Sequence, residues 1–123
     1  MISPVYIVQL VSFAVLLATG QILFKKTAMG LSASIASLEG LISLALNMWF
    51  WLAMVFYSIA TLLWIHILQN VPLSIAYPFN ALGFIIVPLA ALFLFKEPLN
   101  LQFVLGVFLI LGGLSIIATS VGR

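Results

Sequence analysis

The residues able to do chemistry in this chain are few and unevenly placed. Full charge is carried by Lys25, Lys26, Glu39, Lys96, Glu97 and Arg123, beside one histidine, His66, and there is neither aspartate nor cysteine. Hydrolytic and metal centres need converging carboxylates, imidazoles or thiolates. Two glutamates and one histidine do not supply such a set, so no catalytic residue, metal site or cofactor is assigned and an enzyme is not expected. The absence of cysteine also excludes disulfides. A net charge of +2, dispersed along the chain, forms no basic patch for nucleic acid. His66 reads as an interfacial or packing residue, and Glu39, with no motif around it, as a solvated charge.

Polar groups set inside apolar runs are more informative. Gln21 follows Gly20 and shares a helical face with Lys25, four residues on. An amide facing lipid costs free energy, so Gln21 should meet a partner helix or line a polar cavity. Lys25 and Lys26 either bind an anionic headgroup or anchor the helix at the interface. Tyr77 and Asn80, at i and i+3, form a polar patch in a segment that also holds Pro72, Pro78, Gly83 and Pro88. Pro78 removes an amide near Ser74 and Pro88 frees the Phe84 carbonyl. Kinks are expected at Pro78 and Pro88, where a cavity or neighbouring helix satisfies the freed groups. Gly106, Gly113 and Ser120 recur at heptad spacing and make a stripe of small residues for close helix packing or dimerisation.

The elements that position these groups follow from composition. Of 123 residues, 66% are apolar and 5% charged, against about 25% charged in soluble domains. Such a chain cannot coat a water-facing surface. An all-α membrane protein is expected, a single domain over residues 1–123. Four spans of about 20 residues read as 4–24, 48–68, 72–95 and 101–121. The opening Met-Ile-Ser-Pro lacks a signal peptide's basic stretch, so the first run reads as a retained helix, and Pro4 suits its first turn. Trp49, Trp51 and Trp64 lie towards the ends of the second span, as an aromatic belt requires. Residues 31–46 show helical apolar spacing, with Ser32, Glu39 and Ser43 pointing elsewhere. They read as a short interfacial helix or as an extension of the second span. Lys25, Lys26 and Lys96 oppose Arg123 across the bilayer. The positive-inside rule then places the first and third connections in the cytoplasm and both termini outside.

The segment from Leu68 to Pro78, Leu-Gln-Asn-Val-Pro-Leu-Ser-Ile-Ala-Tyr-Pro, resembles the turn and third helix of four-helix, small multidrug resistance-like members of the drug/metabolite transporter superfamily. In that group a P-x-x-x-A-Y pattern opens helix three and a Glu-Pro pair closes it, here Glu97-Pro98. A glycine-rich fourth helix follows, here Gly106 to Gly113. Within the superfamily the chain looks most like the small flippase subunits that move aminoarabinose-linked undecaprenyl phosphate across the bacterial inner membrane. One departure bears on substrate class. The multidrug exporters of this fold carry a glutamate in helix one that binds protons and cationic drugs in alternation, and residues 4–24 contain no acidic residue.

What the resemblance implies is a flippase for a polyprenyl-phosphate-linked sugar or aminosugar. The lipid tail stays in the bilayer while the head passes through a narrow polar groove. Lys25, Lys26 and Lys96 are candidates for the phosphate, with Glu97 at the same end, and Gln21, Tyr77 and Asn80 for the sugar. Four short helices enclose little space, so two copies, or one copy and a related small subunit, are expected to form the passage. Two other readings stand beside this one. The chain could export small cations or metabolites through Glu97 or an unlinked mechanism, or it could be a non-transporting subunit of a membrane glycosyltransferase.

Overall fold

Several helix starts in this chain are set by short polar side chains that accept from otherwise unpaired amides. Ser37 accepts from the Gly40 amide at 3.0 Å, Asn47 from Trp49 at 2.9 Å and Asn100 from Phe103 at 2.7 Å. The computed structural model describes residues 3–120. Its elements are α1 (Pro4–Met29), α2 (Leu38–Ala45), α3 (Met48–Leu68), α4 (Leu73–Ala76), a 3-10 turn (Tyr77–Leu82), α5 (Gly83–Leu94) and α6 (Leu101–Ser120). No strand occurs among the described residues. Four stretches are long and apolar enough to cross a membrane: Pro4–Met29, Met48–Leu68, Leu73–Leu94 and Leu101–Ser120. The protein is an all-α, multi-pass membrane protein.

Three boundaries differ from the sequence expectation. The first helix does not stop at residue 24 but runs through Lys25 and Lys26 to Met29. Lysine is a good helix former and suits the negative end of the helix dipole, so hydropathy marks the membrane boundary rather than the helix end. The helix expected over 31–46 is regular only from Leu38 to Ala45. Upstream, serine hydroxyls capture the backbone in turns instead. Ser34 Oγ accepts from the Ala36 amide at 3.2 Å, and Ser37 Oγ donates to the Ser34 carbonyl at 2.6 Å. This turn folds directly onto α2. A Cβ at Gly40 would fall 1.8 Å from the Ser34 carbonyl oxygen, so only glycine permits the approach.

The third span, expected over 72–95, is not one regular helix. Pro78 sits in the 3-10 turn between α4 and α5. Its missing N–H removes the donor that would reach the Ser74 carbonyl, and the chain tightens there. Pro88 behaves differently: α5 continues through it without interruption, so the helical break lies at Pro78 alone. In the fourth span, expected to reach residue 121, α6 is described to Ser120, and Val121 and Arg123 lie outside the described residues.

α1 lies between α3 and α5 and also touches the 3-10 turn, whereas α6 docks mainly on that turn. Lipid tails are as apolar as leucine, so helices associate in a bilayer by close packing rather than by the hydrophobic effect. The α1–α3 seam is built accordingly. Gly20 is buried against Tyr57, and Ala53 and Ala60 are buried on the α3 face that also carries Tyr57 and Trp64. Larger contacts bracket the seam: Phe13 stacks on Trp64 at 4.6 Å and Phe24 on Tyr57 at 5.0 Å between ring centroids. The hydroxyls of Ser12, Thr19, Thr27, Ser58, Thr61 and Ser115 each donate to the carbonyl four residues earlier. They are satisfied within their own helices. α5 and α6 bury no residue completely.

Candidate functional site

The C-terminal half of α1 carries two polar side chains one turn apart, Gln21 and Lys25. Gln21 Nε2 donates to Tyr57 Oη on α3 at 2.5 Å. Gly20 makes this possible, because any Cβ there would collide with the Tyr57 ring. Lys25 Nζ lies 3.9 Å from Glu97 Oε2, with each side chain about half exposed (49% and 47%). This ion pair places the first and third connections at the same end of the bundle.

Glu97 reaches Lys25 from a wound-down helix end. Lys96 adopts φ 56°, in the left-handed region, and is alone among the described non-glycine residues in having positive φ. Past it the Glu97 amide donates back to the Ala91 carbonyl at 3.2 Å. Gln21, Lys25 and Glu97, with Ile22 of α1 and Val87, Ala91 and Phe95 from the third span and its end, line a cavity of about 200 Å³.

A second, larger groove of about 830 Å³ is lined by Phe13, Trp64, Leu73, Ser74, Tyr77, Pro78 and Asn80. Tyr77 is 62% exposed, so its hydroxyl is open to an incoming group. Phe13 precedes Gln21 by eight residues, which is about 12 Å along a helix axis. The residues expected to form one site therefore occupy two stations. Gln21, Lys25 and Glu97 share one, and Tyr77 and Asn80 share the other.

Two lysines fall outside both. Lys26 Nζ sits 4.5 Å from the centroid of the Trp49 ring, a cation–π contact that anchors this end of α1. Lys96 is exposed and lines neither groove. Gly106 and Gly113 face open space, since an added Cβ would meet nothing within 4 Å. Ser120 is exposed on the same helix, and its hydroxyl donates to the Ile117 carbonyl at 2.6 Å. His66 and Glu39 are exposed. Glu39 lies in the first turn of α2, where a carboxylate complements the helix dipole.

Tyr57 and Phe13 help build the two stations although the sequence alone did not mark them, and Gln9 stands out for a buried, unpartnered oxygen. Gln9 Oε1 is buried with no hydrogen-bond partner among the described residues. The signal for Gln9 and Tyr57 was the same as for Gln21: a hydrogen-bonding side chain inside an apolar span needs a partner or a cavity. Nothing local marks Phe13, whose place depends on which face of α1 meets Trp64.

Comparison with known proteins places this sequence in a family. The Small Multidrug Resistance protein family matches residues 46–110, from the end of α2 to the middle of α6. A Pseudomonas fluorescens (strain Pf0-1) protein is 42% identical over 69 residues, 56% of this chain and 60% of its own length. An Escherichia coli O45:K1 (strain S88) protein is 43% identical over 74 residues, 60% of this chain and 67% of its own. An Enterobacter sp. (strain 638) protein is 46% identical over 70 residues, 55% of this chain and 65% of its own. Each is named a probable 4-amino-4-deoxy-L-arabinose-phosphoundecaprenol flippase subunit ArnE. The chain thus spans about three fifths of the first relative's length. No solved structure matches. Since the family match covers more than half of its residues, the chain belongs to the Small Multidrug Resistance protein family.

Proposed function

We propose that this protein is a flippase subunit that moves a polyprenyl-phosphate-linked sugar or aminosugar between the leaflets of the bacterial inner membrane. The observation that carries the reading is the station at the end of α1. A lysine and an amide of α1, with Glu97 beside the lysine, line one cavity between α1 and the third span, and residues 4–29 themselves hold no carboxylate. A phosphate needs cationic or N–H partners, and Lys25 with Gln21 offers both. The second station, with Ser74, Tyr77 and Asn80 beside Trp64, offers hydrogen bonds and an aromatic neighbour to a sugar. Similarity to proteins named as flippase subunits for such a lipid supports the same reading.

In this reading the whole chain acts as one transporter domain, and the passage forms between two copies or between this chain and a related small subunit. The unfilled small-residue stripe of Gly106, Gly113 and Ser120 is the seam. The end of α1 bearing Lys25 and Lys26, with the first connection that follows it, and the connection bearing Lys96 face the cytoplasm, with both termini outside. α2 lies in the interface, and its exposed Leu38, Leu41 and Ile42 face the acyl boundary.

The test is leaflet exchange in liposomes. The full chain, alone and with a related small subunit, is reconstituted with a short-chain polyprenyl-phosphate aminosugar. A membrane-impermeant amine reagent then reports the fraction still on the outer face. Loss of one charge-assisted hydrogen bond is worth about 1.5–3 kcal/mol, so Lys25→Gln should slow exchange about tenfold or more. Exchange that ignores both Lys25→Gln and Gln21→Ala would remove the first station from the mechanism. Proton-linked uptake of small cations in place of lipid exchange would favour the exporter reading. Activity only as rescue of a glycosyltransferase would favour an accessory subunit.

A further inference from the structure

We infer that the Lys25–Glu97 pair is a recognition site for a zwitterionic head, in which Lys25 takes the phosphate and Glu97 takes an ammonium group on the sugar. The inference rests on the flippase reading and gives Glu97 a role of its own within it. A cation alone explains binding of any lipid phosphate. The structure places a carboxylate beside that cation, on the same cavity, and this asks for a different ligand.

The geometry shows a pair with unused bonding capacity. Charge-assisted N–H···O contacts close to about 2.7–2.9 Å, whereas Lys25 and Glu97 stand 3.9 Å apart with both side chains half exposed. Neither side chain makes a hydrogen bond among the described residues. The carboxylate is also held at this position. The left-handed Lys96 and the bond from the Glu97 amide to the Ala91 carbonyl end the helix so that Glu97 lines the cavity mouth rather than continuing the span. Both side chains are long enough to part around a sugar ring whose charges lie at opposite edges.

Charge balance decides between head groups. Lys25 and Glu97 sum to zero. A phosphodiester-linked neutral sugar brings one negative charge, and it draws Lys25 away from a carboxylate left uncompensated beside apolar Val87, Ala91 and Phe95. Glu97 then loses its partner and faces a second negative charge, which repels it across the cavity. A head carrying one phosphate charge and one ammonium leaves the loaded cavity neutral, and each protein charge gains a full partner. Glu97 therefore selects aminosugars over neutral sugars, while Lys25 supports both.

The experiment is equilibrium binding to the full-length protein in nanodiscs, with its related small subunit where one is required. Three probes share one short polyprenyl phosphate: a 4-amino-4-deoxypentose, its N-formyl derivative, and the unmodified pentose. The wild type should prefer the amino lipid by about tenfold, the worth of one charged hydrogen bond. Glu97→Gln should bring the three lipids within about twofold of each other. Glu97→Asp should restore most of the preference, which a purely structural role would not do. Lys25→Gln should weaken all three together. If the wild type bound the three lipids equally, or Glu97→Gln kept the preference, the role of Glu97 would be overturned while the flippase reading stood. If no probe bound the wild type, both would fall.

Discussion

Gly20→Ala adds one methyl group at the tightest point of the α1–α3 seam. A Cβ there would lie 2.3 Å from Tyr57 Cε2, 2.8 Å from Cδ2 and 3.2 Å from Cζ. Carbon atoms pack at about 3.5–4.0 Å, so the ring must retreat by about 1 Å or more. Turning the ring away breaks the Gln21–Tyr57 hydrogen bond and disturbs the Phe24 stack. Parting the helices instead loosens the seam around Ala53 and Ala60. Overpacking costs about 1–3 kcal/mol, and an interhelical hydrogen bond in a membrane protein is worth about 0.6 kcal/mol. Alanine's better helix propensity returns about 1 kcal/mol. The expected net effect is a destabilisation of about 1–2 kcal/mol, read by reversible unfolding in bicelles. Tyr57→Ala removes the obstacle, so the double variant should show a favourable coupling of about 1 kcal/mol. If Gly20→Ala instead raised stability by the propensity gain alone, Tyr57 would not lie against Gly20 and the positioning of Gln21 argued above would be wrong.

Two further outcomes follow from the same structure. Lys96→Gly relieves a left-handed backbone that costs a non-glycine residue about 1–2 kcal/mol. Part of this is offset by the greater freedom of glycine in the unfolded chain, so unfolding in bicelles should show a gain of about 0.5–1 kcal/mol. Lys26→Gln removes only the contact with Trp49, worth about 0.5–1 kcal/mol. Leaflet exchange should stay within about twofold of the wild type, because Lys26 lines neither groove and a contact of this size is weak. Adjacent lysines would then differ sharply in the same assay, since Lys25→Gln is the slow variant.

The four spans were legible because lipid imposes its demand residue by residue: about 20 apolar positions per crossing. The helix starts at Ser37, Asn47 and Asn100 are local as well, as each accepts from an amide two or three residues on. Less legible was the continuation of α1 past Lys25. Hydropathy falls at the lysines, but helical hydrogen bonding is indifferent to that change, and Gly30 ends the helix instead. The broken third span was half legible. Both prolines remove a donor, yet only Pro78 stands where the chain leaves the α-helical path, while α5 carries Pro88 within it.

The candidate site divides in the same way. Gln21, Lys25, Tyr77, Asn80 and Glu97 stand out in the sequence as polar or charged groups in or beside apolar spans, and the lack of any acidic residue in α1 needs no structure to be seen. Their grouping is a different kind of fact. Sequence states how far apart two residues lie along a helix, but the rotation of one helix against another is set by packing, here by Gly20 admitting Tyr57 and by Phe13 meeting Trp64. That rotation turns Lys26 onto Trp49 and Lys25 towards Glu97, and it separates Tyr77 and Asn80 into a groove of their own. The chain alone determined what kind of protein this is, because membrane insertion depends on composition. Only the tertiary structure decided which charges meet, because that depends on contacts between segments distant in sequence.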